Sequence, residues 1–145
     1  MDELKIGIIG AGMMGQEHIQ NFNLLDGAVV TALADTDAGM LETSKGLCDT
    51  TPICTADYQA LLADDSLDAL AIATPNFHYI NVLREALSAG KPILCEKPLC
   101  TTLADTSEVM QHVARHNLTF QVGMEYRFKP ALADMIARVD RGDIG

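Results

Sequence analysis

Apolar residues along this chain fall into short runs that suit buried strands, separated by longer stretches with a helical period. Lys5 to Ile9 (KIGII) reads as a first buried strand, and Met13 to about Leu25 as the helix after it. Ala28 to Ala34 (AVVTALA) forms a second strand. A weaker helix around Ala38 to Lys45, a short third strand near Ile53 and a helical turn or two over Tyr58 to Leu62 follow. Leu67 to Ala73 (LDALAIA) is a fourth strand; the next helix, from about His78 to Ala89, stops at Gly90 because glycine accepts the left-handed cap conformation. Pro92 to Cys95 makes a fifth strand. A helix over Thr102 to His116 starts with Thr102 and Asp105 at capping-box-like spacing and ends at Asn117. Leu118 to Val122 makes the sixth strand, and Leu132, Met135, Ile136 and Val139 then trace one face of a last helix, a stripe that needs a cover. Strands and helices in strict alternation predict an α/β fold: a doubly wound parallel sheet in the order 3-2-1-4-5-6 with crossover helices.

With 145 residues the chain suits one domain of ordinary size, and 48% apolar against 21% charged residues is a globular balance. A net charge of -10 opposes phosphate backbones and anionic lipid surfaces, so neither nucleic acid nor membrane is an expected partner. The start carries two acids and glycine-broken apolar residues, unlike a signal peptide, and no segment approaches the roughly 20 apolar residues of a bilayer span. The cytoplasm is the expected compartment. Cys48, Cys54, Cys95 and Cys100 form no C-x-x-C pair and read as free thiols; His112 and His116, one helical turn apart, have no third ligand in view, so no metal is expected.

Gly10-Ala11-Gly12-Met13-Met14-Gly15 lies between the first strand and the first helix, where the pyrophosphate of a dinucleotide needs a bare, turning backbone. Gly10 permits the turn, and Gly12 lets the main chain approach the phosphates, whose charge the free N–H groups of a helix N-terminus favour. Gly15 shares a helical face with Ile19 and Phe22, so its missing side chain lets the helix sit close to the first strand. Met13 and Met14 can touch the dinucleotide or serve as ordinary packing residues. Asp35 stands twenty positions after Gly15 at the end of the second strand, where a carboxylate accepts hydrogen bonds from ribose hydroxyls and repels a 2'-phosphate. Thr36 and Asp37 follow with no arginine, so NAD is favoured over NADP; capping of the next helix is the other use open to Asp35. This is a Rossmann arrangement.

In such a sheet ligands lie beyond the carboxyl ends of the strands, where the strand order reverses. Two further loops reach that rim: Thr74-Pro75-Asn76-Phe77-His78 and Glu96-Lys97-Pro98-Leu99. Thr74 and Asn76 can hydrogen-bond the nicotinamide ribose or carboxamide, or cap the following helix, while Pro75 holds the chain extended. Lys97 is the candidate acid or base for a substrate hydroxyl, and partial removal from water beside an oxidised nicotinamide would disfavour its charged form. His18 reads as structural, and Cys95 and Cys100 bracket the Lys97 loop as small thiols.

In order and spacing, GIIGAGMMG, LADTD, YQALLADDSLDALAIATPNFHY, AGKPILCEKPL and GMEYRFKP resemble the Gfo/Idh/MocA family of NAD(P)-dependent oxidoreductases, the glucose-fructose oxidoreductase and inositol dehydrogenase group, over nearly the whole chain. The resemblance implies that Lys97 is catalytic, that Glu96 and Pro98 shape the nicotinamide site, that His78 belongs to the Thr74 loop, and that the substrate is a sugar, polyol or related alcohol. It further implies a dinucleotide domain over 1–123, with 124–145 as the transition into a substrate domain that supplies an Asp-x-x-x-His pair and the contacts between subunits. Because the chain stops at Gly145, the expectation is a truncated enzyme without turnover of its own. Two other functions suit part of these residues. A lone domain could be a non-catalytic NAD-binding or sensing module, and methyl transfer from S-adenosylmethionine shares the glycine loop and acid but has no use for Glu96-Lys97-Pro98.

Overall fold

The computed structural model describes residues 3–75 and 79–144. In chain order the elements are β1 (Leu4–Ile9), α1 (Met13–Asn23), β2 (Ala28–Ala34), α2 (Ala38–Lys45), β3 (Ile53–Thr55), α3 (Tyr58–Leu62) and β4 (Ala69–Ile72). They continue as α4 (Tyr79–Ser88), β5 (Ile93–Cys95), α5 (Leu103–His116), β6 (Phe120–Val122), a 3-10 helix (Glu125–Phe128) and α6 (Pro130–Asp140). The six strands form one sheet in the order β3-β2-β1-β4-β5-β6, every neighbouring pair parallel. That is the doubly wound Rossmann topology, with the reversal of direction between β1 and β4.

Two apolar clusters lie on the two faces of this sheet. Ile6, Ile8, Val30, Leu33 and Ala71 pack with Ile19 of α1 in one; Ile9, Ala32, Ala34, Leu70 and Ile72 pack with Leu83, Ala86 and Val109 of α4 and α5 in the other. Alternation along a strand should put Val30 and Ala32 on the same face. They are not on the same face, because the β1–β2 register slips between Ile6 and Gly7: Ile6 pairs with Val30 but Gly7 with Ala32. Thr31 is the extra residue, a bulge that reverses the phase of β2, and its buried Oγ1 has no hydrogen-bond partner among the described residues.

The helix ends follow local chemistry. Asp37 and Asp57 cap α2 and α3, and Thr102 Oγ1 accepts the N–H of Asp105 at 3.1 Å to start α5. Asn117, at φ 49°, closes α5 in the left-handed region, and Gly90 at φ 71° turns the chain after α4. β6 is shorter than the sequence pattern predicts because the N–H of Leu118 returns to the carbonyl of Val113 as part of the α5 cap, so pairing with β5 begins only at Phe120. The 3-10 helix covers a segment to which the apolar pattern assigns no element. α6 starts at Pro130, two residues before its apolar stripe, since proline suits the first helical position. It has no buried residue, and Met135, Ile136 and Val139 are exposed. No helix among the described residues is long and apolar enough to cross a membrane.

This division of labour predicts that Leu83→Ala, in a fully buried position, lowers the unfolding free energy by about 2–5 kcal/mol in urea titrations, whereas Ile136→Ala on α6 changes it by less than about 0.5 kcal/mol.

Candidate functional site

At the carboxyl end of β1 the chain turns at Gly10, φ 99°, hard against the end of β4; a Cβ there would stand 2.6 Å from the Ala73 carbonyl carbon. α1 then begins so close that a Cβ on Gly15 would collide with the carbonyl oxygen of Gly10. Gly12 differs from both: a Cβ there would meet nothing within 4 Å. Gly12 is also the N-cap of α1 and supplies no side-chain cap, so the first-turn N–H groups face open space with a dipole that favours an anion. Gly10 and Gly15 are therefore steric requirements of the fold, and Gly12 is room kept free.

Asp35 braces this turn. Its Oδ2 accepts the N–H of Ala11 at 2.7 Å and its Oδ1 accepts the N–H of Asp37 at 2.9 Å. The capping role open to Asp35 falls instead to Asp37, whose Oδ1 accepts from Gly39 and Met40. On the other side of Ala11, the buried Ser44 hydroxyl donates to its carbonyl at 2.7 Å. Nothing in the glycine pattern points to Ser44; its helical spacing from Met40, Leu41 and Leu47, which puts a hydroxyl on an apolar face, is the available signal.

A cleft of about 560 Å³ runs along this rim and is lined by Gly10, Gly12, Met13, Met14, Asp35, Thr74, Pro75, Glu96 and Lys97, which brings most of the sequence candidates to one place. Beyond Asp35 it shares residues with a second cleft of about 370 Å³, walled by Ala56, Tyr58 and Asn81. Beyond Lys97 it shares Met14, Glu96 and Lys97 with a third of about 780 Å³, walled by His18, Gly123, Tyr126 and Phe128. Gly15 lies beneath, buried. Pro98 follows a cis peptide bond and does not line the cleft; Asn76 and His78 lie outside the described residues.

Thr74 Oγ1 is buried and without a hydrogen-bond partner among the described residues, an arrangement that leaves a polar group for something the cleft takes up. Glu96 is buried, and its Oε1 lies 2.9 Å from His18 Nε2. The side chain of Lys97 is 47% exposed, so these elements leave it about half in contact with water. Burial pushes the Cys95 thiol up to about 12 and the Cys48 thiol up to about 11, and raises Cys100 as well. His112 and His116 stack at 4.4 Å, and among the described residues no cluster of three or more potential ligands could hold a metal. The space over Gly12, the exposed start of α1, the carboxylate of Asp35 and the unpartnered Thr74 hydroxyl together fit an elongated ligand with an anionic middle.

A family model described as oxidoreductase family, NAD-binding Rossmann fold, matches residues 4–124. The chain belongs to the Gfo/Idh/MocA oxidoreductase family. It is 36% identical over 99% of its length to the oxidoreductase YrbE of Bacillus subtilis, of which it covers 42%. It is 33% identical over 98% of its length to inositol 2-dehydrogenase 1 of Saccharopolyspora erythraea, of which it covers 43%. Among solved structures it resembles scyllo-inositol dehydrogenase from Lactobacillus casei with bound NAD(H) and scyllo-inositol, at a TM-score of 0.87 and 28% identity over 99% of this chain and 43% of that one. Myo-inositol dehydrogenase from the same organism, in complex with NAD(H) and myo-inositol, gives a TM-score of 0.89 at 30% identity over the same shares. The chain thus carries the NAD-binding Rossmann domain of this family and spans less than half the length of these relatives.

The three glycines should separate in experiment. Gly12→Ala is expected to keep the wild-type urea midpoint while weakening NADH binding by about tenfold or more in calorimetry, and Gly15→Ala to destabilise the fold itself by about 1–3 kcal/mol. Alkylation with iodoacetamide at pH 8 should modify the exposed Cys54 first and leave the buried Cys95 protected until urea unfolds the chain, as peptide mapping would show.

Proposed function

We propose that this domain serves an enzyme that transfers a hydride between the hydroxyl-bearing carbon of a sugar or polyol, of the inositol kind, and the nicotinamide of NAD. The observation that carries the reading is that the glycine turn, Asp35 and Lys97, from three separate loops, line one cleft. The printed names of the relatives, inositol dehydrogenases among them, support the substrate class.

NAD, when bound, supplies the hydride acceptor. The chain's own residues do the rest. N–H groups at the start of α1 hold the pyrophosphate, with Gly12, Met13 and Met14 leaving or lining its path. Asp35 accepts from the adenosine ribose hydroxyls through lone pairs not used by Ala11 and Asp37, and its charge disfavours a 2'-phosphate. Thr74, Pro75 and Glu96 serve the nicotinamide half; Asn76 and His78 are assigned to it by their positions in the chain after Thr74, and Pro98 by its position after Lys97. Lys97 exchanges the hydroxyl proton of the substrate as the hydride leaves or returns. Residues 124–145, with their unburied helix, connect to the length of the relatives that this chain does not span, from which most substrate contacts and the water exclusion around Lys97 come.

Calorimetry with NADH, NADPH and S-adenosylmethionine tests the cofactor: NADH should bind at least about tenfold more tightly than NADPH, and S-adenosylmethionine should give no heat. Tighter NADPH binding would remove the role given to Asp35, and S-adenosylmethionine binding would move the reading to methyl transfer. In protein of the full family length, Lys97→Ala should keep NADH affinity and lower kcat by about 10²–10⁴. Unchanged turnover would take Lys97 out of the mechanism.

A further inference from the structure

Glu96 is a carboxylate buried at the end of β5, and both of its oxygens are engaged. Oε1 faces His18 Nε2 at 2.9 Å, with the two side chains 11% and 14% exposed. A carboxylate offers only lone pairs, so the imidazole donates from Nε2. Oε2 accepts the main-chain N–H of Lys97 at 3.2 Å and lies 4.0 Å from Lys97 Nζ. Behind Glu96, Gly123 leaves the room it needs: a Cβ there would stand 3.0 Å from Oε1.

His18 comes from α1, three residues after Gly15, so it rides one turn along the helix that Gly15 allows to approach the sheet. Its ring is steadied by Phe22, at 6.5 Å between centroids. Removing the imidazole would leave a buried carboxylate oxygen without its donor, a state costly enough that the side chain would turn toward solvent and take Oε2 away from Lys97. We propose that His18 is a positioning residue for Lys97: through Glu96 it fixes the backbone and ammonium of Lys97 relative to the helix whose N-terminus faces the pyrophosphate. One helix then sets the distance between the phosphate end and the reacting end of the cleft. The functional meaning of this link rests on the reading of the Lys97 loop as the nicotinamide end.

Two measurements on the 145-residue chain test it. In amide NMR without ligand, His18→Ala should move the Lys97 N–H resonance upfield, toward that of an unbonded amide, while Ile8 and Ala71 in the sheet keep their positions. His18→Gln, which restores an N–H donor at similar reach, should bring it back. In calorimetry, His18→Ala should weaken NADH about tenfold, because the displaced Glu96 side chain and Lys97 main chain intrude on the nicotinamide end where loss of the Lys97 ammonium alone does not, and leave ADP-ribose, which lacks the nicotinamide, unchanged. An unmoved Lys97 amide, or equal losses for NADH and ADP-ribose, overturns the proposal. If the unsubstituted chain binds neither dinucleotide nor ADP-ribose, the cofactor reading falls, and the NMR comparison still decides the His18–Glu96–Lys97 link. Should His18→Ala fail to fold, Glu96→Ala must shift both the Lys97 amide and the His18 Nε2 resonance; if either stays in place, the link is refuted.

Discussion

Everything at the rim depends on how closely α1 approaches the turn that precedes it. Gly15 lies against the carbonyl of Gly10, and Gly10 against the end of β4, so helix, turn and central strands meet with no side chain between them. From that contact follow the open N-terminal turn over the cleft, the reach of His18 to Glu96, and the position of Ala11 between Asp35 and Ser44. A helix held even one methyl further out would loosen all of these together. The steric demand is local, and its consequences extend to β5 on the far side of the topological reversal.

The fold was legible because its signals are local. KIGII, AVVTALA and LDALAIA are too apolar and too short for anything but buried strands, and Asn117 and Gly90 mark helix ends by the one conformation they tolerate better than other residues. The bulge at Thr31 was not legible, since a threonine suits a strand whether or not it is paired. The end of β6 was lost for a related reason: Leu118 is a good strand residue whose N–H is claimed by the preceding helix.

At the site, residue types at fixed offsets, as in the glycine turn and Asp35, could be read from spacing alone. Links across the sheet could not. Seventy-eight positions separate His18 from Glu96, and thirty-three separate Ser44 from Ala11, so neither pair leaves a periodic trace. Lys97 shows the opposite limit. Its neighbours along the chain marked it as special, but its degree of contact with water depends on what covers it, and the elements around it here leave its side chain half exposed.

The two hydrogen bonds of Asp35 bear on any attempt to re-engineer the domain. A carboxylate at the end of β2 is the obvious position to exchange when phosphorylated dinucleotides are wanted, yet here the same group straps the Ala11 amide to the second strand. Swapping it for a cationic or small side chain would release the loop as well as relax selectivity. A retuned version would need a new acceptor for that amide, so partner choice and loop rigidity have to be redesigned as a unit.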